Sequence, residues 1–123
     1  MNILQILFLT WNVGHPSQAL NFSTDFEPIK SKNSDLIFIN LQEIDKRSHI
    51  FNGQCFKSMK QYEFVISSDF PDYFLVESHN FQSTALFVLQ SKHSKFENIT
   101  QKTVKFIKHK SDGKASIIFN FYI

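Results

Sequence analysis

Two apolar runs of strand length constrain the fold of this chain more than any other feature of its sequence. The first run extends from Ile3 to Thr10 and the second from Leu36 to Leu41. An apolar run without polar alternation is typical of a strand that is covered on both faces of a sheet. The connection between the runs has room for a short helix between Gln18 and Asn33. We therefore expect the two strands to be parallel, with a crossover between them.

The rest of the chain predicts mostly short strands. A helix is predicted from Gln54 to Gln61, and strands are predicted at Tyr62 to Ser67, Tyr73 to Glu77, Thr84 to Leu89, Thr103 to Lys108 and Ala115 to Ile123. A turn at Ser111-Asp112-Gly113 precedes the last strand. The close spacing of the later strands favours antiparallel pairing. The predicted class is therefore α/β (α+β), a mixed β-sheet with one or two helices on one face.

Composition narrows the classes of function. The 123 residues fit one domain, and 42% of them are apolar, so the chain can bury a core. A formal net charge of +2 is too small to indicate a nucleic-acid partner. The single cysteine, Cys55, cannot form an internal disulfide, which favours a reducing compartment and a cytoplasmic protein. The apolar start lacks the features of a signal peptide and is too short to span a bilayer.

Basic residues are concentrated near the C-terminus. The stretch contains Lys102, Lys105, Lys108, His109, Lys110 and Lys114. One interpretation is a solvated strand face followed by a turn. The other is a surface that meets phosphate or an anionic membrane, which would place the protein at the membrane periphery.

Polar residues follow both apolar runs. Thr10-Trp11-Asn12-Val13 ends the first run, and Leu41-Gln42-Glu43-Ile44 ends the second. Ligands of open sheets gather beyond the carboxyl ends of parallel strands, so Asn12 and Glu43 would meet there if the strands are neighbours. Their amide and carboxylate oxygens suit Mg²⁺. The alternative is that Glu43 is an acid at a helix N-terminus and Asn12 a turn residue.

These two segments resemble the opening of the endonuclease/exonuclease/phosphatase superfamily. The similar stretches extend from Ile6 to Gly14 and from Asp35 to Ile44, and they contain Trp11-Asn12-Val13 and Leu41-Gln42-Glu43. The resemblance implies half of a DNase I-like α/β sandwich and a Mg²⁺ cofactor. It also implies that Glu43 is the principal metal ligand. Asn12 would bind at the same metal or orient phosphate and water there.

Within the superfamily, the sequence is most similar to inositol polyphosphate 5-phosphatases. The similarity rests on Ile44-Asp45 after the glutamate, on Leu86 to His93, and on Asp112 to Phe121. It implies a phosphatase that acts on an inositol phosphate or a phosphoinositide headgroup. Lys114 would then contact phosphate, whereas the alternative is an ordinary surface lysine.

The chain also departs from the family pattern. Gly14 stands where the family usually has Asn, and Lys110-Ser111-Asp112 replaces a glycine-rich loop. The family segments Gly-Asp-Leu-Asn and Ser-Asp-His-x-Pro, which carry the Asp that activates water and the catalytic His, do not occur in the sequence. We therefore expect residues 1–123 to form the N-terminal half of such a domain, without its C-terminal catalytic half and inactive alone.

Two alternatives to an enzyme of this kind follow from the sequence. Half of a sandwich would leave one apolar sheet face bare, so a non-catalytic remnant could bind a partner there, in place of the missing half. A nuclease of the same superfamily is the other alternative. A nuclease would be expected to have a basic DNA-binding surface, and none is obvious in the sequence.

Overall fold

A four-stranded mixed sheet forms the centre of the structure. The computed structural model describes residues 3–12, 26–30, 32–42, 49–51, 54–56, 59–81, 84–95, 100–108 and 115–122. The elements, in chain order, are β1 (Ile6–Asn12), α1 (Glu27–Lys30), β2 (Leu36–Gln42), β3 (His49–Phe51), β4 (Gln54–Phe56), α2 (Met59–Asp69), β5 (Tyr73–Phe81), β6 (Thr84–Ser91), β7 (Thr100–Lys108) and β8 (Ala115–Tyr122). Neither described helix is long and apolar enough to cross a bilayer.

The strand order of the sheet is β1-β2-β6-β5. β1 and β2 are parallel neighbours, whereas β6 is antiparallel to both β2 and β5. The predicted parallel start and antiparallel continuation are thus confirmed. β3 pairs with β4, and β7 pairs with β8, each in an antiparallel arrangement.

Helices cover one face of this sheet, which we call the helix face. Its buried side chains alternate along β2 and β6, as the pleat of a strand requires, and include Ile37, Ile39, Phe87 and Leu89. Residues from α2 and the segments next to both helices complete this core: Phe26, Tyr62, Val65, Ile66 and Phe70. The predicted mixed sheet with helices on one face is therefore confirmed.

The segment from Gln54 to Ser67 was predicted wrongly in two places. The helix expected from Gln54 to Gln61 is instead β4 followed by the start of α2, and the strand expected from Tyr62 to Ser67 lies inside α2. Tyr62, Val65 and Ile66 recur at helical spacing and are all buried against the sheet. Aromatic and β-branched residues favour strands locally. Burial of these three side chains on one side of a helix outweighs that preference.

The opposite face of the sheet, which we call the second face, is not bare at its centre. Leu36, Phe38, Leu86 and Val88 form a buried cluster on it. The expectation of an uncovered apolar face is therefore wrong for β2 and β6. β8 contacts both β5 and β6. Exposed apolar surface remains at the edge strand β1, where Phe8 is 70% exposed.

Asp35 fixes the end of the sheet where β1 and β2 begin. Its carboxylate accepts the backbone N–H of Gln5 at 2.9 Å and the hydroxyl of Ser94 at 2.9 Å. Its backbone carbonyl accepts the N–H of Ser91 at 2.9 Å. One residue thus ties the segments at the ends of three neighbouring strands and helps to set their register. Asn33, just before it, has a φ of 51°, a left-handed conformation that asparagine tolerates better than most residues.

Candidate functional site at the carboxyl ends of β1 and β2

β1 and β2 end at the same level of the sheet. Asn12, the last residue of β1, lies opposite Gln42, the last residue of β2. The sequence therefore places Glu43 one residue beyond this pair, but Glu43 lies outside the described residues. Lys114 and the predicted turn Ser111-Asp112-Gly113 also lie outside them. The adjacent strand ends required by the metal-site hypothesis are present, whereas the roles of Asn12, Glu43 and Lys114 remain predictions.

Trp11 and Asn12 face opposite sides of the sheet. The Trp11 ring packs edge-on against the Phe26 ring, with centroids 5.5 Å apart and an interplanar angle of 75°, within the helix-face core. Because successive strand residues alternate between faces, Asn12 lies on the second face, where it is exposed. The bulky indole therefore holds the end of β1 in place and fixes the side on which Asn12 is presented.

The second face changes from apolar to polar along β1 and β2. In the first half of the strands, the rings of Phe8 and Phe38 stack with centroids 4.9 Å apart. In the second half, the same face carries hydroxyl and amide side chains instead of rings. They are Thr10, Asn12, Asn40, Gln42 and Thr84, and we call them the polar rim.

One hydrogen bond links β2 to β6 within the polar rim. The Thr84 hydroxyl donates to Asn40 Oδ1 at 3.1 Å and lies 3.3 Å from the carbonyl oxygen of Leu41. Sequence reasoning assigned no role to Asn40 or Thr84. A signal was present for Asn40, because it is the one polar residue in the apolar run Leu36 to Leu41. Thr84 could be placed beside it only from the pairing of β2 with β6.

The polar rim offers hard oxygen donors of the kind that Mg²⁺ or Ca²⁺ accepts. Its described donors are neutral amides and hydroxyls, and a hard divalent cation also requires at least one carboxylate. Within the described ranges, no group of three or more His, Cys, Asp or Glu side chains is arranged to hold a metal ion. The carboxylate nearest to the rim in sequence is Glu43, which follows Gln42 directly. The described donors are therefore of the right chemical type for such a cation, but by themselves they lack the carboxylate that a metal site requires.

Comparison with known proteins supports the fold. No family model and no curated protein match the sequence. Among solved structures, the chain is similar to the inositol polyphosphate 5-phosphatase domain of SPsynaptojanin, solved in complex with inositol (1,4)-bisphosphate and calcium ion. The TM-score is 0.66 and the sequence identity is 14%, over 96% of this chain and 36% of that one. The chain thus has a partial DNase I-like fold and spans about a third of that neighbour's length.

Proposed function

We propose that this chain belongs to a phosphoesterase of the inositol polyphosphate 5-phosphatase type. It would contribute the metal site at the carboxyl ends of β1 and β2. Its substrate would be an inositol phosphate or a phosphoinositide headgroup. The observation that carries the proposal is that the parallel strands β1 and β2 end side by side, with Asn12 opposite Gln42. Glu43 directly follows Gln42 in the sequence. The structural neighbour adds support, because that protein was solved with an inositol bisphosphate and a divalent cation.

In this proposal, Glu43 and Asn12 hold a Mg²⁺ ion at the polar rim. The bound ion would neutralise charge on the phosphoryl oxygens. Trp11 acts as a positioning residue, because its contact with Phe26 fixes the end of β1. The Thr84–Asn40 hydrogen bond likewise fixes the end of β2, by joining it to β6. Lys114, which directly precedes β8, would contact a phosphate group.

The same proposal places the chain in the cytoplasm, in contact with a membrane surface when the headgroup belongs to a lipid. The lysines of β7 and of the segment before β8 would then lie near anionic lipid. The partner-binding alternative now concerns the exposed apolar side chains of the two edge strands, Phe8 on β1 and Phe74 on β5, since the centre of the second face is buried.

Calorimetry with the 123-residue chain tests the proposed site. Titration with inositol (1,4)-bisphosphate should show binding that requires Mg²⁺. Glu43→Gln and Asn12→Ala should each weaken it by at least about tenfold, because even partners of metal ligands contribute on that scale. Asp72→Asn is the matched control, since this exposed carboxylate lies at the other end of the strands and its loss should leave binding unchanged.

Three outcomes would contradict the proposal. Binding without Mg²⁺, or equal weakening in Asp72→Asn, would show that the anion is held elsewhere or only by general charge. Mg²⁺-dependent binding of duplex DNA in place of the inositol bisphosphate would favour the nuclease alternative.

A further inference from the structure

β1 forms one edge of the four-stranded sheet. It pairs with β2 on one side, and no strand that the structure describes pairs with its other side, which we call the open edge. The carbonyl of Gln5 accepts the N–H of Leu36, so the backbone polar groups of Gln5 face β2. Because these groups alternate in direction along a strand, those of Ile6, Phe8 and Thr10 face the open edge. These three residues therefore present donors and acceptors to a further strand.

The open edge carries none of the features with which edge strands usually avoid pairing. Such features are charged side chains, prolines and β-bulges. Neither a charged residue nor a proline occurs between Ile3 and Asn12, and β1 pairs with β2 in an unbroken register. The opposite edge strand, β5, contains Glu77, has a register shift between Leu75 and Glu77, and is contacted by β8. Of the two edges, β1 is therefore the one suited to pairing.

Phe8 is the outermost member of an aromatic row that leads to the open edge. It lies opposite Phe38 on β2, and the two rings stack with centroids 4.9 Å apart and an interplanar angle of 21°. Phe8 is nevertheless 70% exposed. An aromatic ring directly opposite Phe8 on an added strand would extend the row and remove apolar surface from water.

We propose that β1 pairs with β1 of a second copy of this chain, antiparallel and about a two-fold axis at Phe8. In this register, Phe8 lies opposite the partner's Phe8, and Ile6 lies opposite the partner's Thr10. All of these residues direct their N–H and C=O groups to the open edge, so they form the hydrogen-bonded pairs of an antiparallel ladder. The result is one eight-stranded sheet, with the stacked rings of Phe38 and Phe8 from both copies across its centre.

The open edge favours an identical partner because its pattern is self-complementary about Phe8. A two-fold axis brings the same surface of both copies together. Since β1 has no charged residue, no like charges meet across the axis. The pairing uses the backbone of β1 and the Phe8 ring, so it does not depend on the proposed metal site.

Sedimentation equilibrium of the 123-residue chain tests this pairing. The mass should rise from 14.4 kDa to twice that value between about 1 and 100 µM, since one pair of strands is a small interface of the weak class. Phe8→Lys should weaken the dimer at least about tenfold, because two ammonium groups would meet at the axis. Phe74→Lys is the matched control. It is the same substitution at an exposed residue of β5, and it should leave the dissociation constant unchanged.

Thr10→Pro is a second variant, which keeps the Phe8 ring. It removes an N–H group that faces the open edge and leaves the hydrogen bonds between β1 and β2 in place, a position where edge strands tolerate proline. It should also weaken the dimer at least about tenfold, because the pairing loses the ladder bonds of two symmetric positions.

Hydrogen exchange identifies the paired edge. The amides of Phe8 and Thr10 face the open edge, so their protection should increase with protein concentration, whereas the amides of Leu7 and Leu9 face β2 and should be protected throughout. A chain that stays monomeric to about 100 µM, or a dimer weakened equally by Phe8→Lys and Phe74→Lys, would overturn the proposal. Complete protection of Phe8 and Thr10 in the monomer would also overturn it, because another segment of the chain would then cover this edge.

Discussion

Replacing Phe87 by alanine should lower the free energy of unfolding by about 3–5 kcal/mol, which is the range for a buried phenylalanine. Phe87 is fully buried at the centre of the helix face, where its ring lies 6.5 Å from that of Tyr62 on α2. Its removal leaves a cavity between the sheet and α2 that neighbouring side chains fill only partly. Small domains are stable by about 5–15 kcal/mol, so this variant should lose a large part of its stability.

Phe64→Ala is the matched control, because it is the same substitution on α2 at a position that is 73% exposed. It should change the free energy of unfolding by no more than about 0.5 kcal/mol. Urea unfolding, followed by circular dichroism for both variants, measures the difference. Similar effects of the two substitutions would contradict the packing of α2 against the sheet.

The 123-residue chain alone should hydrolyse inositol phosphates at least about a thousandfold more slowly than the roughly 10 s⁻¹ typical of enzymes. The sequence contains neither the Gly-Asp-Leu-Asn segment nor the Ser-Asp-His segment of the family it resembles. Catalytic groups that act as a unit lose most of their effect when members are absent. A metal ion and a phosphate contact would therefore bind the substrate without activating water or stabilising the transition state.

Release of inorganic phosphate in the presence of Mg²⁺ measures this rate. Comparison with Glu43→Ala shows whether any residual activity depends on the proposed metal ligand. Turnover at an enzyme-like rate that disappears in Glu43→Ala would contradict the expectation, because it would show that these residues supply the missing catalytic groups themselves.

The sheet could be predicted from the sequence because its central strands are buried on both faces. Such strands produce unbroken apolar runs, as in Leu36 to Leu41, and their order and spacing predicted the parallel start. Helix α2 could not be identified in the same way. Its buried residues Tyr62, Val65 and Ile66 favour strands by composition. Their helical spacing is obscured in the sequence by Phe64, an apolar residue in the same run that is exposed.

The candidate site was predicted in part for a similar reason. Asn12 could be placed at the end of β1 because it follows an apolar run and lies beside the bulky Trp11. The contact between Thr84 and Asn40 joins residues that are 44 positions apart, so it depends on the antiparallel register of β2 and β6. The burial of Leu36, Phe38, Leu86 and Val88 on the second face likewise depends on tertiary contacts, which no local pattern records.

Paramagnetic broadening by Mn²⁺, which accepts the same oxygen ligands as Mg²⁺, tests the proposed metal site at the carboxyl ends of β1 and β2 most directly. When Mn²⁺ is added to the labelled chain, the amide signals of Asn12 and Gln42 should broaden first. Those of Asp35 and Asp72, at the other end of the strands, should remain sharp. Glu43→Gln should abolish the selective broadening, and Asp72→Asn should not. Broadening that begins around Asp35, Asp69 and Asp72, or that survives unchanged in Glu43→Gln, would contradict a metal site at the carboxyl ends of β1 and β2.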